Sequence, residues 1–562
     1  MKKCLVLCAS CLVLGCQLNP GETTYDVVIY GSSPAAITAA IAAQRLGRSA
    51  VIVSPETRIG GLTTGGLGQT DIGNKAAFGG LALQFYRDVA AYYRDDANWN
   101  WQKREDYRPR GQCSGSQSAD SMWTFEPHAA LDILERWEKG NGLDIRRGEW
   151  LDRTPGKVKV EVEGEQRRIV SFRTLSGNVY RGRMFVDATY EGDLMAAAGV
   201  TYFVGREDNS VYGETISGFQ PAPKHCGHKL QPGIDPYVVK GDPASGLLPG
   251  VKPYAYVKDR RVGQGDGQVQ AYNIRMCLTD VPENRIPFAK PAGYDEREYE
   301  LLFRHQEAGA DLLARNQGVM PNRKTDTNNH GGFSSDFIGR NWAWPEASYE
   351  ERAKLARAHL VYQQGLMWTL ANHPRIPENV RREYARWGTC RDEFQDGPGD
   401  GWQNQVYVRE GRRLVGDTVM TEHHCRGDVS VTRPVAMGAY GMDSHNGLRY
   451  VGQDGFVHNE GDIQDYVMSD GKTRFPPFGI DYGALVPKRG ECANLFVPVC
   501  LSASHMAFGS IRMEPVFFAL GQAAGTAAAQ AIAGGCAVQD LPYAPLRAQL
   551  LRDGQVLEWK GK

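Results

Sequence analysis

The chain has 562 residues, too many for one compact core at roughly 100–200 residues per domain, so two or three interleaved units are expected. Its 64 lysines and arginines nearly cancel 65 aspartates and glutamates, which excludes the one-signed field of a nucleic-acid binder. With 42% hydrophobic and 23% charged residues the composition excludes wholesale disorder, while 65 glycines and 29 prolines predict many turns and long ordered loops.

The first sixteen residues differ from the rest: Lys2 and Lys3 make a basic start, an apolar run spans Leu5 to Leu14, and Gly15-Cys16 closes it. This reads as an export signal, since a membrane-spanning helix needs about 20 apolar residues. Val13-Leu14-Gly15-Cys16 resembles a bacterial lipobox, so residues 1–16 are expected to be a lipoprotein signal peptide. Cys16 would then carry the lipid that anchors the chain in the bacterial envelope, on the periplasmic or cell-surface side. A plain signal peptide or a short membrane anchor is the alternative. Residues 17–24, polar and turn-rich, suit a tether.

Order begins at Tyr25. Val27-Val28-Ile29 predicts a buried parallel strand, Gly31 breaks it, and the alanine-rich Ala35–Leu46 predicts a helix. Gly47 caps that helix and Ala50–Val53 supplies a second buried strand, completing a βαβ unit. The turn Gly31-Ser32-Ser33-Pro34-Ala35-Ala36 matches the dinucleotide fingerprint G-x-G-x-x-G/A with serine in place of the second glycine. Gly31 allows the tight turn, Ser33 leaves room for a pyrophosphate, Ala36 lets helix and strand pack, and the helix N-terminus faces the anion. An ordinary α/β turn of small residues is the competing reading.

The second strand ends in Ser54 where an acidic residue usually grips the ribose; Glu56 is the substitute, with Ser54 as a weaker ligand. Downstream, Arg58-Ile59-Gly60-Gly61-Leu62-Thr63-Thr64-Gly65-Gly66 resembles the second dinucleotide-contacting turn of FAD enzymes, which NAD-only proteins usually lack.

Between 120 and 205 the pattern predicts a helix at His128–Lys139, β-like runs at 157–163 and 168–174, and a buried strand at Met184–Ala188. The stretch through Asp187, Ala188, Thr189, Tyr190, Glu191, Gly192 and Asp193 looks like the strand and turn of a flavoprotein. Residues 25–205 are thus expected to be the first part of an FAD-binding domain, with an embedded β-rich segment. Residues 206–435 are expected to form a largely helical substrate or cap region with long loops, helical at 294–316 and 348–387. Residues 436–562 return to the FAD-binding domain, where Glu514 precedes a helix of small residues whose Gly521, Gly525 and Thr526 meet the flavin. Eight cysteines follow Cys16 without a C-x-x-C pair, so no zinc or iron–sulfur ligand set is expected.

These segments, with Gly60–Asp71, Thr124–His128, Asp187–Leu194, Met442–Asn446 and Ser502–His505, resemble the bacterial exported FAD-dependent oxidoreductase family loosely labelled xanthan lyase-like. The resemblance implies an α/β, Rossmann-type FAD-binding fold with an inserted α+β substrate domain, and FAD as cofactor. No residue supports the β-elimination that the label suggests.

Removing a hydride from a CH–OH carbon needs a base for the hydroxyl proton, and histidine suits the task. His445, with Asp443 to orient it, and His505 are the candidates; the alternative is that each is a buried, hydrogen-bonded histidine. Arg206, Arg409 and Arg512 are either anion clamps or members of ion pairs with Glu207, Glu410 and Glu514. Trp344 and Tyr407 are among the aromatic residues that either stack on sugar rings or fill the core.

The leading expectation is oxidation of a small hydroxylated, carbohydrate-like substrate by hydride transfer to flavin, with an unidentified electron acceptor. The alternative is a catalytically inactive glycan-binding surface lipoprotein on a flavoprotein fold.

Overall fold

The computed structural model describes residues 23–113, 120–164, 166–221, 227–314 and 317–561; the signal segment, most of the tether and Cys226 lie outside them. Strand β1 (Thr24–Tyr30) buries Val27, Val28 and Ile29 completely, as a run apolar on both faces requires. Helix α1 (Pro34–Arg45) follows the Gly31 turn, with proline in its first turn, where a missing N–H costs nothing. Strand β2 (Ala50–Ser54) then lies parallel to β1. Helix α2 (Pro127–Asn141) leads into β3 (Asp144–Arg147), and β4 (Val158–Glu163), β5 (Gln166–Arg173) and β6 (Val179–Asp187) complete the run.

These strands form the sheet β3-β2-β1-β6-β5-β4, with β1, β2, β3 and β6 parallel and β4 and β5 joined as an antiparallel edge. Register pairs Tyr30 with Asp187, so the turn after β1 and the turn after β6 meet at the carboxyl end of the sheet. Open α/β sheets bind ligands at that edge.

The inserted region carries helices within the stretches 294–316 and 348–387, at Glu300–Glu307, Tyr349–Asn372 and Glu378–Ala385, and long loops between them. It is built on a five-stranded antiparallel sheet: β7 (Met276–Thr279), β8 (Arg285–Ile286), β9 (Gln317–Met320), β10 (Lys324–Thr327) and β11 (Gly388–Cys390), in the order β9-β10-β7-β11-β8. Strands this short carry too few residues to display alternation. Helix α3 (Tyr349–Asn372) packs on this unit, opened by a capping box between Ser348 and Glu351. The thiols of Cys277 and Cys390 face each other at 3.7 Å across neighbouring strands.

The C-terminal part supplies β12 (Met442–Ser444), then β13 (Leu495–Phe496), which joins β6 in parallel, and helices α4 (His505–Ile511) and α5 (Glu514–Gly534). Helix α5 is long and apolar enough to cross a membrane, yet 89% of its apolar window is buried. It lies against α1 through its small residues. A Cβ on Gly521 would stand 2.3 Å from the Ala35 carbonyl oxygen, and one on Gly525 2.1 Å from that of Ala39. Gly521→Ala and Gly525→Ala are each expected to destabilise the fold by about 1–3 kcal/mol through forced separation of the helices. Thermal melting checks this; an unchanged Tm would mean the helices have room to spare.

Candidate active site

A cavity of about 300 Å³ opens at the carboxyl edge of the sheet. Gly31, Ser32 and Ser33 line it from one side, Ala188 to Glu191 and Asp193 from the other, with Glu56 and Asn404 to Val406 completing the wall. Gly31 has φ +126°, and a Cβ there would stand 2.6 Å from the Ala188 carbonyl carbon and oxygen. The Ser33 hydroxyl donates to the Ala188 carbonyl (2.6 Å) instead of capping α1, so the helix N-terminus is left uncapped at the cavity. That is the cradle a pyrophosphate needs. The half-buried Glu56 carboxyl, raised to about 7 by burial and then by Glu191, lines the same cavity.

Several residues expected at the cofactor have other work. Ser54 is wholly buried and donates to the Glu56 carbonyl (2.6 Å), so it offers nothing to a ribose. The Asp187 carboxylate accepts from the Thr189 N–H and hydroxyl and from the Met195 N–H, shaping the turn from beneath. Thr189 therefore lines the cavity with its hydroxyl already used. Gly192 caps the short helix Asp193–Ala197 in a left-handed conformation. Asp193 does reach the cavity, where Arg352 (2.6 Å), Arg412 (2.7 Å) and Arg153 (3.1 Å) converge on it and outweigh the burial that would raise its pKa.

Ala36 is buried in the helix–sheet packing. Gly60 and Gly61 have positive φ and make close approaches to Leu134 and to Tyr190 respectively. Gly521 and Gly525 serve the α1–α5 contact, and the Thr526 hydroxyl bonds back to the Gln522 carbonyl (2.8 Å). A small-residue helix reads alike whether it receives a cofactor or another helix, which is why the sequence misassigned these three.

Glu514 links the cavity to what lies behind it. Its carboxyl accepts from the Thr63 hydroxyl (2.6 Å) and the Tyr190 hydroxyl (3.0 Å), and burial raises it from 4.5 to about 7 despite both bonds. An acid whose folded pKa lies above its unfolded value binds more protons when folded, so stability falls as pH rises from about 4.5 to about 7. The apoprotein is expected to lose roughly 3 kcal/mol across that window through this group. Glu514→Gln should flatten the profile, as denaturant titrations at several pH values would record.

Behind the cavity lies a buried polar cluster. The His445 Nδ1 stands 2.8 Å from Asp336 Oδ2, and its Nε2 stands 3.4 Å from Asp443 Oδ2. Asp336 is held in turn by Arg409 (2.9 Å) and Asp443 by Arg512 (2.9 Å). Burial would raise both carboxyls; Arg409 with His445, and His445 with Arg512, hold them below the usual carboxylate range.

His505 has Glu410 at Nδ1 (2.8 Å) and the Ser444 hydroxyl at Nε2 (2.9 Å), while Arg413 pairs with Glu410 (2.8 Å). Gln270 joins the two networks: its amide nitrogen donates to Glu410 (3.0 Å) and its oxygen accepts from the His445 N–H (3.2 Å).

Both catalytic candidates thus sit in one connected region, and Asp443 does contact His445. Asp336, 109 residues away from His445, holds the shorter bond and gave no sign in the sequence. The arginines pair otherwise than their neighbours in sequence suggested. Arg409 takes Asp336 and Arg512 takes Asp443, whereas Arg206 is locked between Asp266 (2.6 Å) and Glu460 (2.7 Å) and Glu207 pairs with Arg413 (2.6 Å). Trp344, Tyr349 and Arg352 line the cofactor cavity, the last two without any sequence signal. Glu126, His128 and Glu393 bring ligand-type atoms within 4.8 Å of one another, but the Lys324 ammonium already stands 2.8 Å from Glu126 and 2.7 Å from Glu393.

A parallel sheet with this cradle at its carboxyl edge defines a Rossmann-type dinucleotide-binding protein. Residues 26–550 match the model of the family described as FAD dependent oxidoreductase; the chain belongs to that family, and its cofactor is FAD. No curated protein sequence matches it. Among solved structures it is similar to a variant of a flavin monooxygenase from Stenotrophomonas maltophilia, at 17% identity over 33% of this chain and 42% of that one, TM-score 0.19. It is also similar to anhydrotetracycline hydroxylase from Streptomyces rimosus, at 14% identity over 32% and 35%, TM-score 0.20. The chain spans less than half the length of each.

Proposed function

We propose that the chain oxidises a small hydroxylated, carbohydrate-like substrate, and does so outside the cytoplasm as a lipid-anchored protein of the bacterial envelope. FAD, which Gly31, Ser32 and Ser33 and the Ala188–Glu191 turn would hold, would supply the acceptor for a hydride from the CH–OH carbon. His445 takes the hydroxyl proton at Nε2, the nitrogen with the longer contact, while Asp336 fixes the ring through Nδ1. Arg409 holds Asp336 ionised so that it stabilises the ring once protonated.

One observation carries this reading: the cofactor cradle and the histidine cluster share two stretches of chain. Asn404 to Val406 line the cradle and Tyr407 follows directly into the cluster; Arg512 holds Asp443, and Glu514 two residues on bonds Tyr190 of the cradle wall. An anaerobic screen of hydroxylated compounds against the holoenzyme tests it, with bleaching of flavin absorbance as the expected result. Sugars that bind tightly without bleaching would favour the inactive glycan-binding alternative. Mass spectrometry of the mature N-terminus tests the anchor, and an unmodified Cys16 would remove it.

A further inference from the structure

Three guanidinium groups from distant segments stand around one phenol ring. The Cζ atoms of Arg409, Arg275 and Arg512 lie 4.6, 5.6 and 5.9 Å from the Tyr407 ring centroid, and all four residues are at most 5% exposed. Each cation has a paired carboxylate, Asp326 for Arg275 (2.5 Å), Asp336 for Arg409 (2.9 Å) and Asp443 for Arg512 (2.9 Å), and the Asp71 carboxyl acts on Arg275, Arg512 and Tyr407 as well.

Each also keeps one buried donor without a hydrogen-bond partner, namely Nη1 of Arg275, Nε of Arg409 and Nε of Arg512. The carboxylates balance the three charges, but a buried, unpaired donor on a charged group is costly. Packing alone gives no reason to assemble three such groups at one place; an incoming anion gives one, because planar guanidiniums match a carboxylate's two oxygens.

We propose that the substrate is an acid, a hydroxylated compound whose carboxylate is held by Arg275, Arg409 and Arg512 beside Tyr407. This rests on the oxidation reading above and narrows its substrate from hydroxylated to anionic. A second cavity, of about 640 Å³, is lined by Tyr440, Tyr466, Phe475 and Trp559, with the exposed Arg474. Two of its wall residues lead to the arginines. The Gln69 N–H donates to Asp326 (3.0 Å), the partner of Arg275, and Gly441 directly precedes the strand that carries Asp443. The ring lining suits the apolar face of a cyclic compound.

The test uses the holoenzyme with benzoate and its neutral counterpart benzamide as probes, read by flavin difference spectra. Benzoate is expected to bind at least about tenfold more tightly, and Arg275→Gln and Arg409→Gln are each expected to weaken benzoate by about tenfold or more, with FAD content measured alongside. Equal binding of the two probes to the unaltered enzyme overturns the proposal, and needs no variant to fold. So does benzoate binding that survives both substitutions. If neutral sugars bleach the flavin while the probes bind alike, the oxidation reading stands and the acid site falls. If benzoate is preferred but no hydroxylated compound bleaches the flavin, the acid site stands and the oxidation reading falls.

Discussion

Gly31→Ala is expected to yield protein that retains at most about a tenth of the wild-type FAD and melts at a lower temperature. The residue's φ of +126° is outside the range that an L side chain adopts without strain of order 1–3 kcal/mol. The added methyl carbon would also stand 2.6 Å from the Ala188 carbonyl carbon and oxygen and 2.9 Å from the Thr189 nitrogen, all backbone atoms that cannot swing aside. Relief requires β1 and β6 to part where their turns form the cradle, so the cofactor site opens before the rest of the sheet does. Flavin absorbance per mole of protein and a thermal melt measure the two effects separately. Full flavin occupancy in the variant would place the cofactor elsewhere.

His445→Ala is expected to slow the reductive half-reaction by about 100- to 10,000-fold while leaving bound FAD in place, the range that a general base contributes. His505→Ala is expected to act differently. Both ring nitrogens of His505 are engaged, it is 1% exposed, and its removal takes from the buried Glu410 carboxylate one of the partners that, with Arg413 and Gln270, hold it at about 2 against the burial that would raise it. Leaving a buried acceptor short of a hydrogen-bond partner costs about 1–3 kcal/mol, so the variant should be recovered as destabilised protein. Stopped-flow flavin reduction beside thermal melts separates the outcomes. A stable His505→Ala enzyme that is slow, with an unimpaired His445→Ala, would exchange the roles assigned to the two histidines.

Some of this was legible in the one-dimensional pattern. An apolar run, a glycine, a small-residue helix and a second apolar run specify a βαβ unit because each signal is local: strand burial, turn geometry and helix spacing are written within about 30 residues of one another. The dinucleotide fingerprint survived the serine at position 33 because the turn requires smallness there and glycine only at 31, where φ is positive.

What the chain order could not disclose was pairing through space. Asp336 reaches His445 across 109 positions, Arg275 and Arg409 meet at Tyr407 from well-separated parts of the inserted region, and neither separation leaves a periodicity to read. The same holds for α5, whose glycines announce a close approach without naming the neighbour. Local steric rules made the Gly31 turn a property of the sequence itself, whereas the identity of the acid behind His445, and the gathering of three arginines, came into being only when distant backbone segments were packed against each other.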